Sequence, residues 1–153
     1  MKVLVCNCAD GIAIMCPSPE SRLLDEGVQE WLMRIFRKDS QSVTPTSDPI
    51  ILDDSDLPTF MLDAYRVRGG VIAPDMTVAR DLFRGMMRVA RAPKLAALDV
   101  AFQRALETGS DTSIIVAQKQ ALRDVTSDPA IEAAQTPEEL KAIWPTALLD
   151  DEE

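Results

Sequence analysis

From Asp75 to Gly109 the chain carries few glycines or prolines and repeats apolar residues at helical spacing, so a long helix is the element around which the rest must be arranged. Asp75 is a natural N-cap for it. Val78, Leu82, Phe83, Met86, Val89 and Ala90 make one apolar face, and Leu95, Leu98, Ala101, Phe102 and Ala105 continue a similar pattern beyond Pro93. Proline removes a backbone donor and crowds the preceding turn, so the stretch is either one kinked helix or two helices meeting near Ala92 and Pro93. If continuous, residues 76–107 span about 48 Å, longer than a small domain is wide, and the helix is expected to protrude. Gly109 supplies a stop and Ser110-Asp111 a restart, which predicts an antiparallel return through Ile114 to Leu122.

The residues before Asp75 read differently. Val3–Cys6 and Ile12–Met15 flank Ala9-Asp10-Gly11, the turn chemistry of a β-hairpin. Val28, Trp31, Leu32, Ile35 and Phe36 recur at helical spacing and predict an amphipathic helix covering one face of that hairpin. A polar stretch between Lys38 and Pro49 is expected to be a loop of about ten residues. Ile50–Leu52 reads as a further strand of the same sheet. Tyr65–Arg68 and Val71–Ala73, joined by Gly69-Gly70, read as a second hairpin. After the return helix, Ser127-Asp128-Pro129 and Thr136-Pro137-Glu138-Glu139 each start a short helix, the second as a capping box, and Pro145 ends it. The expected class is α+β, with a small head over 1–74, a helical hairpin and short helices over 75–146, and a solvated acidic tail over 147–153.

Composition narrows the function. Hydrophobic residues make up 46% and charged residues 27%, which suits a folded globular chain. The formal net charge of −9 repels phosphate backbones and anionic bilayers, so neither nucleic acid nor membrane is an expected partner. Cys6, Cys8 and Cys16 are an odd set clustered in the first sixteen residues, which fits a reducing cytoplasm better than a disulfide framework. With no histidine, the chain can build no imidazole-based triad and no imidazole metal ligand. Carboxylates at Glu20, Asp25, Glu26, Asp53, Asp54 and Asp56 are not arranged by any spacing that singles out an acid and a base. The cluster at Asp53, Asp54 and Asp56 lacks the glycine and terminal glutamate of an EF-hand loop. No catalytic residue, cofactor or metal is expected.

Arg80, Arg84, Arg88 and Arg91 fall at intervals of four, four and three, which puts their guanidinium groups along one stripe of the long helix. Two readings stay open: a solvated face paired locally with Asp81 or with the returning helix, or a docking stripe for an acidic partner or a neighbouring copy. Met86 and Met87, with Phe83 and Val89, form an adaptable apolar patch that either packs the core or meets a partner. Trp144 before Pro145 is either a packing anchor or an interface hot spot. Arg80, Arg84, Met87, Arg88, Arg91 and Trp144 are therefore the candidate partner-binding residues.

Lys119-Gln120-Ala121-Leu122-Arg123-Asp124-Val125, followed by Pro129 and the closing Ile143-Trp144-Pro145, resembles the C-terminal signature of bacteriophage tail and tail-fibre assembly proteins. Those families run Gln-Ala-Leu-Arg-Asp, a proline-containing spacer and a terminal Trp-Pro, with a tyrosine where this chain has Lys119. The stretch from Met86 to Ala105 is also similar to the helical region of small proteins encoded among phage tail genes. The resemblance covers residues 55–146. It implies a non-catalytic protein made in the host cytoplasm that binds other tail or fibre proteins, either transiently or as a minor subunit of the virion tail. A symmetric bundle of copies is compatible with the same helices. The net charge supports an alternative from another class, a small acidic regulator that binds a host protein.

Overall fold

The computed structural model describes residues 1–149, apart from the side chains of residues 41 and 42. Its α+β chain falls into two compact units, residues 1–79 and 80–153, with the division inside the long helix.

In the first unit, strand β1 (Lys2–Cys8) turns through Ala9 and Asp10 into β2 (Gly11–Met15), and the helix α1 (Val28–Val43) leads to β3 (Ile50–Asp53). β1 is the central strand, antiparallel to β2 on one edge and to β3 on the other. Because side chains alternate along a strand, Leu4 lies on one face beside Met15 and Ile51, its partners across the ladder. Trp31 and Leu32 of α1 close over Leu4 on that face. The opposite face of β1 carries Val3, Val5 and Asn7, against which lies the second hairpin, β4 (Tyr65–Arg68) and β5 (Val71–Pro74). Val3, Leu4, Val5 and Cys6 are all buried, as a strand covered on both faces requires. Gly69 and Gly70 join β4 to β5 with φ of +60° and +82°, the pair of left-handed residues that a tight two-residue hairpin turn needs.

Two polar groups hold this unit together. Asn7 donates through Nδ2 to the Val67 carbonyl at 2.9 Å and accepts from the Val67 N–H at 2.7 Å, so its amide stands in for a strand partner and ties the hairpins to each other. Its own N–H donates to Ser47 Oγ and its carbonyl accepts from Thr46. Glu26 is buried and receives Arg34 in a two-pronged ion pair of 2.7 and 2.8 Å, together with the Leu23 N–H. Arg22 donates to the Glu26 carbonyl, which closes the turn before α1. Beside Arg34, the Glu26 carboxyl is held down to about 2.

The loop expected between Lys38 and Pro49 is shorter, since α1 continues to Val43. It ends where Thr44 takes a left-handed φ of 49° and Pro45, without an N–H, cannot extend the ladder.

The helix α2 (Met76–Thr108) begins at Asp75, whose Oδ1 accepts from Thr77 and Val78, and runs unbroken through Pro93. The choice left open at Pro93 resolves as one helix. In the second unit, α3 (Ser113–Asp124) follows a turn in which Gly109 has φ +66° and Asp111 accepts from the Ser113 N–H. Next come α4 (Pro129–Ala133), capped by Asp128, and α5 (Pro137–Ala142), capped by Thr136. Glu139 completes the box by accepting from Gln135, one residue before the cap. Phe83, Met87, Leu122, Ile131, Leu140 and Leu148 are among the buried apolar residues of this unit.

The burial of α2 corrects the single apolar face expected for it. Ala79, Phe83 and Met87, spaced by four, are buried, whereas Met86 and Val89 are 43% and 76% exposed. Adjacent positions on a helix are about 100° apart, so Met86 and Met87 cannot share a face. The acidic tail begins later than residue 147: Leu148 is buried and Lys94 donates to the Leu149 carbonyl at 2.6 Å. Residues 150–153 of that tail lie outside the described residues.

Candidate partner-binding surface

Arg80, Arg84, Arg88 and Arg91 of α2 share one stripe, but three of them are engaged within their own unit. Arg80 reaches the last carbonyls of α4, with Nε 3.1 Å from Ile131 O and Nη2 3.1 and 2.8 Å from Glu132 O and Ala134 O. Arg91 does the same for α3, with Nη1 2.9 Å from Arg123 O and 3.4 Å from Leu122 O. Carbonyls in a final helical turn have no donor within the helix and carry the negative end of its dipole, so a cation placed there meets an unfilled need. Arg84 bonds to the Thr126 carbonyl and the Glu132 carboxylate, and lies 3.6 Å from Asp81. The two guanidinium groups, Arg84 first and then Arg80, pull the Glu132 carboxyl below its ordinary value.

Of the two readings of the stripe, the contacts match local pairing: Arg80 and Arg84 are bonded to α4 and the turn before it, and Arg91 to the end of α3. Arg88 is exposed and makes no hydrogen bond or ion pair with any other described residue. Met87 is fully buried and cannot touch a partner, because four residues on from Phe83 it joins the same inward stripe. Trp144 is half-buried, with its ring edge-on to Phe83 at 5.5 Å, so it anchors the end of the chain to α2.

Several apolar residues also face solvent. Leu106, Ile114 and Val116, all exposed, flank the turn between α2 and α3. Further back, a groove of about 380 Å³ is lined mainly by Ala97, Leu98, Ala121, Leu122 and Ala147, with Lys94 its one ionisable group among the described residues. Lys119 bridges the hairpin, paired with Asp99 and set 5.1 Å above the Phe102 ring.

Asp53 and Asp54, part of the cluster weighed as a cation site, pair instead with Lys2 at 2.7 Å and with the N-terminal ammonium at 2.5 Å. Among the described residues no group of three or more cysteines and carboxylates is placed to hold a metal ion. Cys6 is buried, Cys8 half-buried and Cys16 exposed, all as free thiols. No described helix is long and apolar enough to cross a membrane.

Asn7 and the Glu26–Arg34 pair were missed in the sequence. An asparagine inside an apolar strand was the available signal for the first. The second had no signal beyond charge, since eight residues and a change of direction separate its members.

Compared with known proteins, no family model matches this chain, and no curated protein or solved structure matches it significantly.

Proposed function

We propose that this chain is a bacteriophage tail morphogenesis protein, a non-catalytic component that acts by protein–protein contact with other tail or fibre proteins. The observation that carries the reading is the similarity of Gln120-Ala121-Leu122-Arg123-Asp124, Pro129 and Trp144-Pro145 to the tail-assembly signature. Those residues also have coherent physical roles here. Leu122 is buried, the carbonyls of Leu122 and Arg123 receive Arg91, Pro129 opens α4 and Trp144 packs on Phe83. These residues all lie within the second unit, whose helical hairpin offers Leu106, Ile114 and Val116 as apolar surface for a tail or fibre subunit to cover.

The alternative, an acidic regulator of a host protein, draws on the net charge of −9. Quantitative mass spectrometry of purified particles and of tail-assembly intermediates from the producing phage separates the two. The tail reading expects the chain in one or both fractions, at a fixed ratio to a tail or fibre protein. Its absence from both, together with recovery on a host protein, overturns that reading.

A further inference from the structure

The solvent face of α2 carries a second apolar pattern that its own unit leaves uncovered. Leu82, Met86, Val89, Pro93, Ala96 and Val100 follow one another at intervals of four, three, four, three and four. That is the 3.5-residue repeat of a coiled-coil seam and not the wider stripe of a helix packed on a globular core. Leu82 is half-buried, Pro93 and Ala96 are exposed, and Met86, Val89 and Val100 are 43%, 76% and 51% exposed. The buried stripe through Phe83 and Met87 is separate from it.

The flanks of the seam are suited to a close neighbour. In heptad terms the positions beside it are Phe83, buried in its own unit, then Gly85, Ala90, Ala92 and Ala97, all small, then Asp99, and, just beyond Val100, Arg104. Gly85 sits inside the helix, where glycine costs about 1 kcal/mol relative to alanine, and a Cβ built on it would meet nothing within 4 Å. Its own unit therefore gives no packing reason for a glycine there. Small flanking residues let a second helix approach at the short end of the usual 8–10 Å axial separation.

Charge selects the occupant and its direction. In a parallel pair of identical helices in register, a residue flanking the seam on one side meets the residue five positions on in its partner. Asp99 of one copy then meets Arg104 of the other, twice by symmetry, while the remaining flanking pairs join Gly85 to Ala90 and Ala92 to Ala97 without like-charge contact. Arg104 makes no ion pair with any other described residue, and the Asp99 carboxylate keeps a second oxygen free of its bond to Lys119. An antiparallel pair brings no such charges together.

We propose that α2 pairs in parallel with α2 of a second copy of this chain along the Leu82–Val100 seam. The pairing stands independently of the tail assignment. The seam is about 28 Å long. It covers on the order of 400 Å² per copy, about half the area of a standard stable interface, so the dimer is weak and forms at micromolar or higher concentration.

Sedimentation velocity of the full chain, at concentrations from about 1 µM to about 1 mM, tests it. A concentration-dependent monomer–dimer equilibrium is expected. Val89→Glu should weaken association about tenfold or more while leaving the melting curve unchanged, because the position is already in water. Asp99→Arg and Arg104→Asp should each weaken self-association, and mixing the two variants should restore it as a heterodimer. Gly85→Leu should stabilise the isolated helix yet weaken the dimer, which a merely structural role for the glycine would not produce. A chain that stays monomeric throughout overturns the proposal, as does association that survives Val89→Glu. Recovery of dimer by neither mixture nor charge reversal overturns the parallel register.

Discussion

Glu26 shows how one carboxylate can set a local geometry. Its burial is tolerated because Arg34, the Leu23 N–H and the turn around it satisfy the charge, and removing Arg34 leaves an ion without its partner. Arg34→Met should therefore destabilise the first unit more than Glu26→Gln combined with Arg34→Met, a difference readable in urea titrations. The same pair makes stability depend on pH. The Glu26 carboxyl lies at about 2 in the folded chain against an ordinary 4.5, so its contribution is complete above 4.5 and is lost as pH falls towards 2. Chemical unfolding at pH 6 and pH 3 should show the wild type losing more stability over that interval than Glu26→Gln; equal losses would remove Glu26 as the cause. Asn7 is the other residue with leverage. Asn7→Ala deprives both backbone groups of Val67 of their partner and should cost about 2 kcal/mol, with Asn7→Asp recovering the part due to the Val67 N–H.

Elements follow local chemistry closely, and their faces do not. Gly69-Gly70 for the second hairpin, Asp75 for the start of α2, and Asp128 and Thr136 for the short helices are each legible because the turn or cap depends on a few adjacent residues. Which side of α2 turns inward depends on what folds against it. Phe83 and Met87 are chosen over Met86 and Val89 because Trp144 and the short helices close over that side, and no neighbouring residue encodes this. Of the two readings of the arginine stripe, local pairing with Asp81 and the returning helix is the one the contacts match, with details no spacing predicts. The spacing of the stripe was readable, but its targets, the carbonyls ending α3 and α4, exist only once the chain has folded back. Pro93 tests the continuity of α2. Proline leaves the Val89 carbonyl without its helical donor, so Pro93→Ala should raise stability by about 1–3 kcal/mol in thermal or urea unfolding. Phe83→Ala, by contrast, removes a fully buried ring and the partner of Trp144, and should cost about 4 kcal/mol.

At the scale of the whole molecule, the two units do different work. The first is a sheet covered on both faces, closed by Asn7 and Glu26. The second packs Trp144 against Phe83 and leaves apolar residues at the hairpin turn and along α2 in water. In a chain of net charge −9, these uncovered apolar surfaces are the features that most need a partner. The measurement that bears most directly on the proposed role is deletion of the gene from the producing phage, with particles counted by electron microscopy and infectivity restored from a plasmid. A tail protein predicts heads that accumulate without complete tails or fibres, and rescue by the wild-type chain. Normal numbers of fully tailed, infectious particles without it would contradict the account.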